Sequence, residues 1–272
     1  MKSYANARQQ GLTLVELLIA LTMSSFLILG MTQAYISNRH SFDFQSSQAS
    51  NMSAASFLQM MINAQLDKAG YRRAPDQSMD KAFPARAASD LCAAFTPGAV
   101  IAPLADASTS GFCLRYQPAI NGELACNGEA QSLQHAGAFI AAATSELVYI
   151  AIEHRPENEL HLGSLRCNNV ELLVGVADFR VEFLLGNKAE RRFLGRPRIA
   201  ASAYNGTDIV RAVRYSALLA SRPNQRSGME SAQLLSWLAD AESTSRQRLS
   251  QHDKDRIYQR VSSTRVLRNL VP

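Results

Sequence analysis

Residues 12–36, LTLVELLIALTMSSFLILGMTQAYI, form an apolar run of 25 residues with one charge, Glu16. As a helix rising about 1.5 Å per residue, such a run covers roughly 37 Å, enough to cross a bilayer with some tilt. Lys2 and Arg8 precede it, and basic flanks stay on the cytoplasmic side, which would carry everything after the run out of the cytoplasm. The glutamate is the anomaly. A carboxylate inside an apolar span costs on the order of 2.5–3.5 kcal/mol on insertion scales, so such a residue needs a partner.

Three readings compete for this segment. A secretory signal would use the basic residues, the apolar core and a small-x-small site at Thr32-Gln33-Ala34, but the run exceeds the roughly 7–15 residues of such a core. A plain membrane anchor accounts for length and orientation but leaves Glu16 unexplained. A cut between Gly11 and Leu12 accounts for both. It makes Leu12 a free amino terminus and puts Glu16 one helical turn away, where a helix start favours negative charge. The partner expected for Glu16 is then an N-terminal ammonium, its own or a neighbouring subunit's.

The stretch GLTLVELLIAL, behind a short basic leader, resembles the class III signal of type IV pilins and pseudopilins. The resemblance implies cleavage after Gly11 by a prepilin peptidase, N-methylation of Leu12 by the same enzyme, and an assembly ion pair through Glu16. Leu12 stands where phenylalanine is commoner. Further motifs resemble minor pilins of the PilW type: Ala69-Gly70-Tyr71, Val174-Gly175-Val176-Ala177-Asp178-Phe179, Val210-Arg211-Ala212-Val213-Arg214 and the Thr264–Asn269 element. Residues 76–110 and 223–256 match no such motif. The resemblance implies a minor pilin that takes part in type IV pilus assembly, in a priming or tip complex, and supports twitching motility and adhesion. The alternatives are a pseudopilin of a type II secretion system and a tip-located adhesive binding module. Implied partners are the prepilin peptidase/N-methyltransferase, other minor pilins and the major pilin, the inner membrane and the pilus assembly platform. The implied location is the inner membrane of a Gram-negative bacterium, single-pass with the domain periplasmic, and later the pilus at the cell surface.

No proline occurs before Pro75. Met52, Ala55, Leu58, Ile62, Leu66 and Ala69 follow steps of three and four, giving a helix one apolar face. One helix is therefore expected from about Leu12 to Ala69, closed by Gly70 and Pro75; the alternative is two helices broken near Asn38–Phe44. Strands are expected at 111–117, 146–154, 160–167, 170–185, 209–221 and 258–269, with turns at Asn121-Gly122 and Asn205-Gly206. Residues 229–240 read as a short helix with Trp237 packed, and 241–256 as a loop or helical extension. The expected fold is α+β: a long N-terminal helix packed on an antiparallel sheet. The divisions are a leader (1–11), the membrane or filament-core half of the helix (12–36), its amphipathic half (37–72), and a disulfide-containing β-rich domain (73–272).

Four cysteines, none in a CxxC pair, read as two disulfides once the chain is exported. Three pairings are possible. Cys92–Cys113 with Cys126–Cys167 is favoured because each staples a loop to a strand; Cys113–Cys126 with Cys92–Cys167 is the rival. The composition, 47% hydrophobic and 19% charged, provides for a real core, and a net charge of +5 without a basic-aromatic stripe gives no nucleic-acid signature. No HExxH, GxSxG or phosphate loop occurs. Ser78-Met79-Asp80-Lys81 matches SxxK without its companion motifs. Asn205-Gly206-Thr207 matches a glycosylation acceptor but is sufficiently explained as a turn. Glu153-His154 and His161 are expected to flank a hairpin turn as exposed residues. No catalytic residue, metal site or cofactor is assigned.

Overall fold

The computed structural model describes residues 13–133, 139–186, 198–206, 208–226, 228 and 230–270. By internal contacts the chain divides into two units, one ending at Ser46 and one running from Ser47. Helix α1 is assigned without interruption over Leu14–Lys68, 55 residues, so no break occurs near Asn38–Phe44.

In the second unit, α1 buries Asn51, Leu58, Ile62, Gln65 and Leu66, and Ala69 just after it is buried too. Met52, expected on this face, is 64% exposed; the register begins at Asn51, whose amide donates to the Ile257 carbonyl at 3.0 Å. The helix closes at Gly70, which has φ +73° and an amide donating to Arg115 O at 3.0 Å. Asn269 supplies the rest of the cap, its amide donating to the carbonyls of Asp67 (2.9 Å) and Ala69 (3.0 Å).

The strands form two antiparallel sheets rather than one. The first is a meander of β1 (Ile101–Ala102), β2 (Gly111–Tyr116), β3 (Val148–Pro156), β4 (Gly163–Cys167) and β5 (Val170–Val174). The second has the order β7-β6-β8-β9, from β6 (Val176–Gly186), β7 (Arg198–Ala200), β8 (Ile209–Ala220) and β9 (Tyr258–Val266). The segment 170–185 reads as one apolar run yet belongs to both sheets. Gly175, at φ +89°, separates β5 from β6, its amide bonded to Gly163 O and its carbonyl to Ala220 N. A side chain there would sit in a left-handed conformation with its Cβ 3.3 Å from Ala220 O.

Alternation sets the core. Phe179, Val181 and Phe183 on β6 and Val213, Tyr215 and Ala217 on β8 are buried in one cluster with Leu58, Ile62 and Leu66 of α1. Tyr215 donates to Asn63 Oδ1 at 3.0 Å, and Arg265 of β9 grips Asp67 through two bonds of 2.6–2.7 Å. This pair holds the Asp67 carboxyl below its ordinary pKa, chiefly by the hydrogen bonds from Arg265. A smaller cluster gathers around Trp237 on α3 (Ala232–Ala239) and Leu249 on α4 (Ser243–Gln251). The polar stretch after Asp240 is thus largely helical.

Residues 74–110 hold only the short helix α2 (Met79–Ala82) and β1, and are fastened by a cation. Arg115, fully buried on β2, donates to the carbonyls of Ala99 (2.6 Å), Pro84 (2.6 Å), Phe83 (3.0 Å) and Thr96 (3.1 Å). Its guanidinium lies 4.7 Å from the Phe95 ring centre. Nearby, Arg73 and Glu146 form a buried ion pair. Disulfides join Cys92 to Cys113 and Cys126 to Cys167, with Cα–Cα distances of 5.9 and 6.0 Å.

Candidate functional site

The residues singled out for processing, Gly11 and Leu12, lie outside the described residues; Glu16 lies inside them, in the first turn of α1. Its carboxylate is bound locally. Glu16 Oε2 accepts from the Thr13 amide (3.0 Å) and the Thr13 hydroxyl (3.0 Å), and the Glu16 amide donates back to Thr13 Oγ1 at 3.3 Å. This is a reciprocal capping box, Thr13 at the cap and Glu16 three residues on. Its signal, T-x-x-E ahead of an apolar run, stands in the sequence, and it gives the Glu16 carboxylate a local partner besides the expected ammonium. The cap engages only Oε2; Oε1 makes no hydrogen bond among the described residues.

Beyond this cap the segment is built for an apolar solvent. Its large side chains all face outward, among them Leu14 (76% exposed), Phe26 (75%) and Met31 (71%). The helix is apolar and long enough to cross a membrane, and no part of its most apolar window is buried. Its hydroxyls are satisfied along the helix: Thr22 donates to Ile19 O, Ser24 to Ala20 O, Ser25 to Thr22 O and Thr32 to Ile28 O, at 2.6–2.9 Å. A polar group bonded to its own helix adds little transfer cost in an apolar medium.

The remaining titratable candidates are structural. Neither Glu153 nor His154 is an exposed turn residue: both are buried on β3, 6% and 3% exposed. Strand β3 continues to Pro156, so the turn comes later; Glu153 is paired in register with Gly111 of β2, and His154 points to the opposite face, toward β6. His154 is bonded through Nε2 to Val176 O at 2.7 Å. Burial pushes its pKa below the usual imidazole value, as it does for His161. His135 and Thr207 fall outside the described residues. Ser78 precedes α2, and its side chain makes no cap bond. No group of three or more potential metal ligands occurs among the described residues.

The model of the prokaryotic N-terminal methylation motif matches residues 6–32. Among solved structures, a type IV-like pilin from Thermus thermophilus is similar at a TM-score of 0.41 and 13% sequence identity, over 83% of this chain and 97% of that one. No curated protein matches the sequence. The chain thus carries a prokaryotic N-terminal methylation motif at its start, a helix that begins inside that motif, and two antiparallel sheets.

Proposed function

We propose that the chain is a minor pilin, PilW-like, that takes part in priming or tipping a type IV pilus and thereby supports twitching motility and adhesion. The supporting observation is the methylation motif set on a helix whose large apolar residues from Leu14 to Ile36 are all exposed. Such a motif implies processing by a prepilin peptidase and assembly with other pilins, a structural role rather than a catalytic one. In this reading the peptidase cuts between Gly11 and Leu12 and methylates Leu12. Residues 12–36 hold the chain in the inner membrane of a Gram-negative cell, N-terminus inward and domain in the periplasm, until the assembly platform moves it into the fibre. That step exchanges one apolar setting for another, so the hydrophobic energy changes little.

Glu16 supplies the specific term. With Oε2 held by Thr13, Oε1 is left to accept from the ammonium of Leu12 or of a neighbouring subunit, in surroundings where an unpaired charge is costly.

Mass spectrometry of the mature N-terminus tests the processing: a methylated Leu12 is expected, and a first residue beyond Ala34 would mean an ordinary secretory signal. Glu16→Ala should be cleaved normally yet enter sheared pili poorly; wild-type incorporation would remove the ion pair from the account. Deletion separates the alternatives, since loss of piliation fits a minor pilin and loss of secretion a pseudopilin.

A further inference from the structure

The second sheet has a polar face that the fold does not cover completely. On β6, Asp178, Arg180 and Glu182 alternate with the core residues and point away from α1; Arg180 is paired in register with Ser216, and Glu182 with Arg214. Helices α3 and α4 close one end of this face. There Asp178 is fully engaged, accepting from Trp237 Nε1 at 2.7 Å and Ser245 Oγ at 3.3 Å. Arg180 stacks over the Trp237 ring at 3.9 Å and donates to the Trp237 carbonyl. The other end is open, a cleft of about 730 Å³ bounded by the 103–111 segment, β7, β8 and the start of α4.

Three guanidinium groups in the cleft wall are held by ion pairs or ring contacts alone. Arg198, Arg214 and Arg260 donate no hydrogen bond among the described residues. Arg198 and Arg214 share one carboxylate, Glu182 Oε2, at 3.9 and 3.6 Å, both beyond hydrogen-bond length. Among the described residues Arg260 faces the Trp237 ring, 5.7 Å away, with Arg180 close by. The hydroxyls of Ser202, Ser216 and Thr244 line the same space. The carboxylates of Asp240 and Glu242 stand on the α3–α4 side, near Arg180, and Asp106 in the 103–111 wall accepts from Ser108 and Thr109, so an anion is favoured by Arg198 and Arg214.

We propose that this cleft binds an acidic, extended peptide segment of a partner protein. Guanidinium groups with free forks take carboxylates through paired, charge-assisted bonds. Among the described residues β7 pairs with β6 alone and borders the cleft, so an extended chain can add to its other edge while its acidic side chains reach Arg198 and Arg214. Single-stranded nucleic acid and acidic glycans are anionic too, but both are held largely by open aromatic faces. The only tryptophan here is 1% exposed and covered by Arg180 and Arg260. The inference stands on the cleft alone and is independent of whether the fibre is a pilus or a secretion pseudopilus.

The test is fluorescence anisotropy of the full-length protein in detergent with a labelled peptide alternating Glu and Val. Its Gln counterpart, oligothymidylate and oligogalacturonate serve as comparisons. Saturable one-to-one binding is expected, weakening with added salt and absent for the Gln peptide. Arg198→Gln and Arg214→Gln should each weaken it about tenfold or more, while Arg39→Gln, on the exposed part of α1, should not. Glu182→Gln, which removes the competing carboxylate, should tighten it, giving a readout even if an arginine variant fails to fold. The proposal is overturned if binding does not saturate, if neither the arginine variants nor Glu182→Gln changes it, or if oligothymidylate or oligogalacturonate binds more tightly than the peptide.

Discussion

Arg115 shows how one side chain can stand in for secondary structure. The segment from Phe83 to Ala99 has few backbone ladders, and four of its carbonyls converge on one guanidinium. Arg115→Met would leave those carbonyls buried without a donor and should cost at least about 3 kcal/mol, read as a fall in Tm and faster amide exchange confined to residues 83–99. Arg115→Lys should recover little, because a point charge cannot reproduce a planar fork. Buried His154 makes a different prediction. Its folded pKa lies below the ordinary 6.5, so the unfolded chain takes up a proton that the folded chain refuses. The stability associated with the neutral ring is therefore complete above about pH 6.5 and is lost as pH falls below it, at up to roughly 1.4 kcal/mol per pH unit. His161 adds in the same direction. His154→Gln, which retains a donor toward Val176 O, should flatten part of the acid side of a Tm–pH curve.

Among the elements, β5 and β6 show where reading a sequence stops. VELLVGVADFRVEFLL has the composition of one long strand, and nothing in its periodicity says that its two halves serve different sheets. The one local sign is Gly175, whose left-handed conformation turns the chain between them. Gly175→Ala should therefore lower stability by about 1–3 kcal/mol through backbone strain, measurable by chemical denaturation, although alanine is small enough for most buried sites. The helix was legible almost to its ends because periodicity, a missing proline and a closing glycine all agree. Its buried face differs from the apolar periodicity at Met52, because the stripe there opens with a polar residue, Asn51, that is buried by virtue of a distant carbonyl. The cap at Thr13–Glu16 was readable from four adjacent letters. The cleft arginines were not, since Arg198, Arg214 and Arg260 come together only through strand order.

The molecule as a whole depends on contacts distant in sequence. Each disulfide closes a loop, with separations of 21 and 41 residues, and fastens a poorly laddered segment to a sheet. Replacing Cys126 and Cys167 together by serine should cost about 2–4 kcal/mol in a reversible denaturation experiment, and the Cys92–Cys113 pair somewhat less because its loop is shorter. A fall in the opposite order would mean that native-state packing, not chain entropy, sets the contribution. The cap on α1 is the most distant of these contacts: Asn269 reaches carbonyls some 200 residues earlier in the chain. Any vectorial process, such as synthesis or export, therefore delivers the first half of this helix long before the residue that finishes its far end. The apolar half can find its medium at once, while the amphipathic half waits with Leu58, Ile62 and Leu66 uncovered until β8 and β9 arrive. The interval between those two events is when the chain is most open to misassociation, and its length is set by the distance between Asp67 and Asn269 along the chain.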